Sequence, residues 1–571
     1  MSGFSWLACC GFALLALAGC GAPPAPQAAL AAAPKSPPAV DQLNRIVERY
    51  WDEHLPTDNA IAPQVLADSL SIERRYLAEI ESVARDGLDA KSRLSYDIFR
   101  RQREILIEGF TFPSELLPID PFGGMPQQLL AYAVELAARP ATNAGEYENW
   151  LRRIDDYVRW TQQASVNMRE GIRRGYTSPR AVIERILPLL ERLGLDDSAN
   201  VFYGPLRSLP EGMQSAERAK LTRDLTSAVA ERLLPANRAL RDFLLKEYLP
   251  RTRPGVAMAE LPLGSRWYAY RVKRATDSAL SPDEINRIGI AEVERLGPPP
   301  AREAAGPPAN GINAHRELQA QVQELQRQVQ ELQAQVQAAL PTTFAEIPRG
   351  EFEIRAAEWL SPAQALYYQR RGSTGSPPAV LYVNTGKGAR AAVSIASFLQ
   401  QGLPGQHFQS ALQQERADLP RFRRFGYESA FTEGWGLYAA SLGEALGVYT
   451  DESAKLEAVL AQRRCAVALV VDTSLQVKGW TRAQAFDYLR LHLGADELEA
   501  QSLIDSYVAS PGEALACMMG EMRIRALRVR AQPSMGGRFE LRDFHTEMLK
   551  DGAMPLDILE TKMKAWMDAS K

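Results

Sequence analysis

The chain has few of the residues from which catalytic and metal sites are usually built. Its 571 residues include only five histidines and five cysteines. No two histidines have the i, i+4 spacing of a helical zinc pair. The sequence also contains no Gly-x-Ser-x-Gly, no glycine-rich phosphate loop and no Cys-x-x-Cys. These absences exclude the familiar serine-hydrolase, nucleotide-binding and dithiol motifs.

The sequence also lacks a strong charge of either sign. The net charge is −3, and no cluster of lysine and arginine stands out. A nucleic-acid-binding domain needs a basic patch to contact phosphates, so we expect no nucleic-acid partner. Hydrophobic residues make up 46% of the chain and charged residues 24%, as in an ordinary globular protein with a large core.

After the first twenty residues no apolar run is long enough to cross a membrane. The start itself is apolar and leads into Leu17-Ala18-Gly19-Cys20, a tetrad typical of bacterial lipoprotein signals. We therefore predict a signal peptide over residues 1–20, lipidation of Cys20 and an Ala/Pro-rich linker over residues 21–40. The expected location is the outer membrane, facing the periplasm, with the lipid as the membrane anchor. The alternatives are a plain signal peptide and an apolar start with no signal role.

Two cysteines, Cys465 and Cys517, lie outside this leader. They could pair in an oxidising periplasm. Because each lies in an apolar stretch, we predict two separate buried thiols instead.

From about residue 41 to residue 571, apolar residues recur mainly at helical spacing, as in Leu43-Ile46-Val47-Tyr50. Ser178-Pro179 predicts a helix start with Ser178 as the N-cap, and Ser281-Pro282-Asp283-Glu284 predicts another. Residues 379–383 form the best strand candidate because they are short and rich in β-branched and aromatic residues. The predicted fold is mainly α, one large helical domain with a small β-sheet.

A foreign segment interrupts this domain between residues 297 and 340. A Pro/Ala/Gly-rich stretch leads into about three heptads, a spacing typical of a coiled coil. One interpretation is a parallel homodimer through this seam, and the other is a surface helix packed against its own domain. The seam positions are Leu318, Val322, Leu325, Val329, Leu332 and Val336.

Two stretches resemble the signature of a bacterial family, the domain of unknown function 885 (DUF885). They are Gln-Gln-Gly-Leu-Pro-Gly-Gln-His-Phe-Gln at residues 400–409 and Glu-Gly-Trp-Gly-Leu-Tyr at residues 433–438. The family pattern runs His-Glu-Gly-x-Pro-Gly-His-His-x-Gln, followed by Glu-Gly-Trp-x-Leu-Tyr. The resemblance implies a zinc-metallopeptidase-like helical fold with a central cleft. In that pattern Pro404 bends the chain and brings the two ends of the first stretch together.

The resemblance implies a role for each position of the pattern. Gln400 stands where the first zinc ligand is expected, and Gln401 stands at the position of the general base. Gln406 replaces one histidine of the pair, whereas His407 keeps the other, and Glu433 stands at the third-ligand position. A glutamine amide is a poor zinc ligand. It also cannot act as a general base, which costs roughly 10²–10⁴-fold in rate. The resemblance therefore predicts a vacated site with no metal and no cofactor.

Further positions depart from the family pattern in the same direction. Gln476 stands where a histidine is usual, and Cys517 and Met518 replace a tyrosine and a lysine that could stabilise an oxyanion. Asp472 and His545 survive, so the remaining cleft candidates are His407, Glu433, Asp472 and His545. Of these, His407 and Glu433 are the weak metal candidates, and each has a structural alternative as a hydrogen-bonded core residue.

Three functions follow from this pattern. The first is a non-catalytic homologue of a metallopeptidase that binds a peptide or a periplasmic protein, or acts as a scaffold. The second is a hydrolase with a rebuilt zinc site using Glu433, His407 and His545. The third is a structural lipoprotein that acts through its coiled-coil segment.

Overall fold

A computed structural model describes most of the chain. The described residues are 38–53, 60–138, 144–198, 200–207, 209–210, 212–299, 314–357, 360, 364–373, 378–385 and 393–570. The side chains of residues 138, 144 and 314–322 are not part of this description. The predicted signal peptide, Cys20 and nearly all of the linker therefore lie outside the described residues. The same holds for most of the Pro/Ala/Gly-rich stretch and for the side chains of Leu318 and Val322.

Helices dominate the described chain, as predicted. The helices of the first half are α1 (Ala39–Glu53), α2 (Pro63–Glu81), α3 (Ala90–Gly109), α4 (Met125–Ala138), α5 (Ala144–Arg174), α6 (Arg180–Leu193), α7 (Gly204–Arg207), α8 (Ser215–Ser227), α9 (Leu234–Phe243), α10 (Gly264–Thr276) and α11 (Pro282–Arg295). Those of the second half are α12 (Ala314–Ala339), α13 (Ile395–Gln401), α14 (Gln406–Glu415), α15 (Arg421–Arg424), α16 (Ser429–Ala440), α17 (Glu452–Val477), α18 (Arg482–Leu493), α19 (Glu497–Ala509), α20 (Leu515–Met535), α21 (Leu541–Leu549) and α22 (Leu556–Ala569).

Of the two predicted helix starts, one is confirmed and one is displaced by a residue. Ser281 caps α11, and Glu284 completes a capping box with it. At α6 the N-cap is Pro179 and not Ser178. The backbone N–H of Ser178 donates instead to the hydroxyl of Tyr248 at 2.8 Å, which fixes this residue just outside the helix.

A three-stranded sheet of order β1-β3-β2 supplements the helices. Its strands are β1 (Glu353–Ala357), β2 (Leu366–Gln369) and β3 (Val380–Asn384). The central strand β3 pairs in parallel with β1 and antiparallel with β2. All five of its residues are buried, which explains why a short apolar run was recognisable as a strand.

Two large apolar clusters make up the core, and helices α16 and α20 contribute to both. In α16, Leu437 belongs to one cluster, whereas Phe431 and Trp435 belong to the other. In α20, Met518 and Ile524 are divided between the clusters in the same way. The pair α16 and α20 therefore joins the two halves of the described core.

The heptad segment packs against its own domain. Val329 and Val336 of α12 are fully buried within the chain, and Leu325 is 7% exposed. Leu332 is partly buried against the same cluster. Helix α12 also contacts β1, where the amide of Gln326 donates to the carbonyl of Ile354 at 3.3 Å. This arrangement is the intramolecular alternative, and the oligomeric state stays a prediction.

The expectation of two separate thiols is wrong. Cys465 of α17 and Cys517 of α20 form a disulfide with a Cα–Cα distance of 5.9 Å. Both lie beside the apolar clusters, as expected, but the packing of α17 on α20 places them next to each other.

Among the described residues, no helix is both long enough and apolar enough to cross a membrane.

Candidate functional site

The predicted bend at Pro404 is present and brings three helices together. Helix α13 ends at Gln401, and α14 begins at Gln406 after a cis peptide bond between Leu403 and Pro404. The indole N–H of Trp435 donates to the carbonyl of Pro404 at 2.9 Å. This bond fastens the bend to α16, which carries Glu433.

Gln400, Gln406 and Glu433 meet at this junction. The amide nitrogen of Gln406 donates to the Glu433 carboxylate at 2.7 Å. Gln400 and Gln406 both lie against Gly436, where a Cβ would be 3.4 and 3.2 Å from their Cγ atoms. The first-ligand, paired-histidine and third-ligand positions of the family pattern are therefore neighbours.

A second donor completes the environment of Glu433. The hydroxyl of Tyr427 donates to its other carboxylate oxygen at 2.7 Å. Burial raises the pKa of Glu433, and the nearby carboxylate of Glu513 raises it further. The two hydrogen bonds act in the opposite direction because they stabilise the ionised form. The result is a half-buried carboxylate with one donor on each oxygen.

Gln401, at the expected base position, has a structural role. Its side-chain oxygen accepts from the backbone N–H of Tyr368 at 3.1 Å, which joins the end of α13 to strand β2. At the position where the family pattern has a general base, the side-chain oxygen of Gln401 therefore accepts a hydrogen bond from the backbone.

His407 is almost fully buried, and its hydrogen-bond partners are not those of Glu433. Its Nε2 lies 2.9 Å from the carbonyl oxygen of Gly350, so this nitrogen must be the protonated donor. Its Nδ1 then accepts from the Tyr368 hydroxyl at 3.2 Å. Burial lowers the pKa of His407 to about 4. Both nitrogens of a neutral ring are engaged, which leaves none for a metal.

The buried His407 predicts a loss of stability in mild acid. Its ordinary pKa is 6.5 and its folded pKa is about 4, so between these values the unfolded chain binds the extra proton. We expect the stability difference between wild type and His407→Gln to shrink by roughly 2 kcal/mol from pH 7 to pH 5. Urea unfolding of both proteins at pH 7, 6 and 5 measures this difference. A difference that does not change with pH would contradict the assignment.

His545 occupies a separate enclosed site. Its Nδ1 lies 2.9 Å from the carbonyl of Thr343, and its Nε2 lies 2.9 Å from the hydroxyl of Tyr438. The ring stacks on Phe344 with centroids 4.6 Å apart, and burial lowers its pKa to about 3. Among the described residues, His545 and His407 have no hydrogen-bond partner in common.

Asp472 and Gln476 hold the buried helix α17 in place. The Asp472 carboxylate accepts from the Tyr268 hydroxyl at 2.5 Å and from the N–H of Gly512 at 3.0 Å. Burial raises the pKa of Asp472 to about 7. Gln476 accepts from the N–H of Met258 at 2.8 Å and donates to a carbonyl at 3.0 Å. Both side chains are fully enclosed.

The two positions where the family's oxyanion-stabilising groups are replaced, Cys517 and Met518, both have structural roles. Cys517 is a disulfide partner, and Met518 is fully buried in the apolar core.

A cavity of about 530 Å³ lies away from the junction. Its lining residues come from the C-terminal helices and the turn between them: Met535, Arg538, Asp543, Thr546, Glu547, Lys550, Trp566, Ala569 and Ser570.

The donor set at the junction does not fit a zinc ion. Within the described ranges, no group of three or more His, Cys, Asp or Glu side chains is placed to hold a metal. Glu433 is a suitable ligand, but the neighbouring side chains at the ligand positions are the neutral amides of Gln400 and Gln406. Three strong protein ligands are what a catalytic zinc requires.

Sequence reasoning missed the tyrosines beside Glu433. Tyr427 and Tyr367 are 42% and 39% exposed, and the pKa of each is raised first by burial and then by the negative charge of Glu433. Tyr427 precedes Glu433 by six residues, outside the recognisable motif. Tyr367 comes from the separate strand β2, so no local pattern connects it to Glu433.

The chain matches a family model over residues 52–563, that of DUF885, described as a bacterial protein of unknown function. A crystal structure described as a "putative lipoprotein" from Colwellia psychrerythraea is 20% identical with a TM-score of 0.75. It covers 93% of this chain and 100% of its own. A "putative lipoprotein of unknown function" from Shewanella oneidensis is 14% identical with a TM-score of 0.61, covering 92% and 98%. These likenesses show the fold. No curated protein matches the chain.

Proposed function

The chain belongs to the DUF885 family of bacterial proteins of unknown function, and we propose that it is a non-catalytic member that binds a peptide or protein in the cell envelope. The observation that carries this proposal is the hydrogen bond from the Gln406 amide to the Glu433 carboxylate. A protein donor here contacts the carboxylate that the family resemblance assigns to a metal.

The chemistry of an amide supports a site without catalysis. The Gln406 nitrogen presents N–H groups and no lone pair to Glu433, so this nitrogen cannot bind a cation. At the base position, the Gln401 amide has no charge with which to accept a proton from water. The framework is retained around these changes, since the bend at Pro404 still brings α14 against α16.

Two observations support an envelope location with a lipid anchor. The Leu17-Ala18-Gly19-Cys20 tetrad lies outside the described residues but has the order of a lipoprotein signal. The Cys465–Cys517 disulfide is typical of an oxidising compartment such as the periplasm. We propose attachment through Cys20 to the outer membrane, with the folded domain in the periplasm.

The two alternative functions have less support. A rebuilt hydrolase would need a free imidazole nitrogen at His407 or His545, and both rings have both nitrogens hydrogen-bonded. A protein acting through its heptad segment alone would need the seam exposed, whereas Val329 and Val336 are part of the core. Deleting this segment would remove core packing, so a deletion would not isolate its function.

Metal analysis of the purified protein tests the proposal. We expect the wild-type chain to retain no stoichiometric zinc after dialysis. The triple variant Gln400→His, Gln401→Glu, Gln406→His is expected to bind about one zinc per chain, because it restores two imidazoles beside Glu433.

The matched control adds Glu433→Ala to the triple variant and is expected to lose the bound zinc. One zinc per wild-type chain, together with peptide hydrolysis abolished by Glu433→Ala, would overturn the non-catalytic proposal.

A further inference from the structure

The cavity of about 530 Å³ lies among the end of α20, helix α21 and helix α22. Its volume falls within the roughly 300–1,000 Å³ of pockets that hold small ligands. Part of its lining is apolar and consists of Met535, Trp566 and Ala569. The side formed by α21 and the residue after it carries charges of both signs, including Asp543 and Lys550. Apolar surface with a few polar groups is the usual composition of a ligand pocket.

Two polar groups of this lining have no hydrogen-bond or ionic partner within the part of the chain that the structure describes. They are the exposed carboxylate of Asp543 and the indole N–H of Trp566. The Trp566 ring is half-buried, and its centroid lies 6.4 Å from that of the core residue Phe544. A negative charge and a fixed donor are therefore both available to a ligand in this cavity.

Lys550 supplies a positive charge at the other end of α21. Its ammonium group lies 2.6 Å from the Glu547 carboxylate, and its side chain is 43% exposed. An ammonium group has three donors, so the bond to Glu547 leaves two of them. Glu547 also lies 3.4 Å from Lys562, so its charge stays compensated when Lys550 contacts a second carboxylate.

We propose that this cavity binds a short peptide by its two free ends, the α-ammonium group at Asp543 and the α-carboxylate at Lys550. The two residues are seven positions apart along α21, which is about 10 Å at 1.5 Å per residue. Three residues of extended peptide span about the same length. A tripeptide therefore reaches both charges, whereas a single amino acid reaches only one.

The groups between the two charges suit the middle of such a peptide. Thr546 lies on the same face of α21, three residues after Asp543 and four before Lys550. Its hydroxyl donates to the carbonyl of Arg542 at 2.8 Å, and its oxygen can accept from a peptide N–H. Trp566 offers its N–H to a peptide carbonyl, and together with Met535 it provides apolar surface for the central side chain.

This site is separate from the junction around Glu433, because the two share no residue. The inference therefore goes beyond the proposed function and does not depend on it.

Four versions of the tripeptide Ala-Leu-Ala test the inference. One has both ends free, one is acetylated at the amino end, one is amidated at the carboxyl end, and one is blocked at both ends. Binding to the full-length protein is measured by isothermal titration calorimetry at pH 7. We expect the free tripeptide to bind at least about tenfold more tightly than either singly blocked form, because each of these loses one charged contact. Free leucine is expected to bind as weakly as the singly blocked forms.

Two charge-removing variants assign each end of the peptide to a residue. Asp543→Asn should make the free and acetylated tripeptides bind equally while keeping the preference for a free carboxylate. Lys550→Gln should have the opposite effect. The matched controls are Glu540→Gln and Lys564→Gln, which remove charges from exposed positions outside the cavity and should leave all four affinities unchanged. All four substituted residues are exposed, and unfolding curves check that each variant is folded.

Three results would overturn the inference. The first is equal binding of all four tripeptides to the wild type. The second is a preference for free ends that both Asp543→Asn and Lys550→Gln leave unchanged. The third is no binding of the free tripeptide at concentrations up to about 10 mM. Each of these results leaves the non-catalytic proposal standing, since that proposal is tested by the zinc content of proteins altered around Glu433.

Discussion

Replacing Gly520 with alanine is expected to lower the free energy of unfolding by about 3 kcal/mol or more. Gly520 lies where α20 crosses α16. A Cβ added at this position would overlap the carbonyl oxygen of Ala430 and would lie 2.8 Å from the Cα of Gly434. Both obstacles are backbone atoms, which cannot move by changing a rotamer, so the helices must separate.

The expected effect is large because of what this crossing holds together. Helices α16 and α20 contribute side chains to both apolar clusters, and separating them loosens the contact between the two halves of the core. Glu433 precedes Gly434 on α16, so the same shift would also lengthen the hydrogen bond from Gln406. We therefore expect Gly520→Ala to weaken any ligand binding at this junction together with stability.

Urea unfolding followed by circular dichroism measures the effect of Gly520→Ala. The matched control is Gly537→Ala, since a Cβ at Gly537 meets nothing within 4 Å in the described structure. We expect this control to stay within about 0.5 kcal/mol of the wild type. A Gly520→Ala protein as stable as the control would show that the two helices are not in close contact.

The contrast between these glycines shows where sequence reasoning succeeds and where it stops. Helical spacing correctly identifies buried faces such as that of Leu43, Ile46 and Val47, and the capping box of Ser281 is visible from four residues. Periodicity shows which face of a helix is buried but not which backbones touch. The close approach of Gly434 to Gly520 is a tertiary fact that neither local segment contains.

For the candidate site too, some features could be predicted from the sequence and others could not. The meeting of Gln400, Gln406 and Glu433 followed from the family pattern and the bend at Pro404. The hydrogen-bond partners of His407 did not, because Gly350 lies 57 residues away along the chain. The heptads of α12 were ambiguous for a physical reason. An apolar seam can be buried equally well against a second copy of the chain or against its own domain. Only the position of the helix in the structure distinguishes these two arrangements.

The disulfide between Cys465 and Cys517 is expected to contribute about 4 kcal/mol to stability. Its two cysteines are 52 residues apart, and the crosslink restricts a loop of that length in the unfolded chain. The double variant Cys465→Ala, Cys517→Ala should lose this contribution, as measured by urea unfolding. Because the crosslink ties α17 to α20, its removal should also weaken the support of the α16–α20 crossing.

Reduction of the wild type provides the matched comparison for this prediction. Dithiothreitol is expected to bring the wild-type unfolding curve close to that of the double variant and to leave the variant itself unchanged, since the variant has no Cys465–Cys517 bond to reduce. Alkylation by iodoacetamide without reductant should leave both cysteines unmodified in the unfolded wild-type protein. Their modification under these conditions would show that the thiols are unpaired, as their apolar surroundings alone had predicted. The support for an oxidising compartment would then be lost, and the envelope location would depend on the Cys20 tetrad alone.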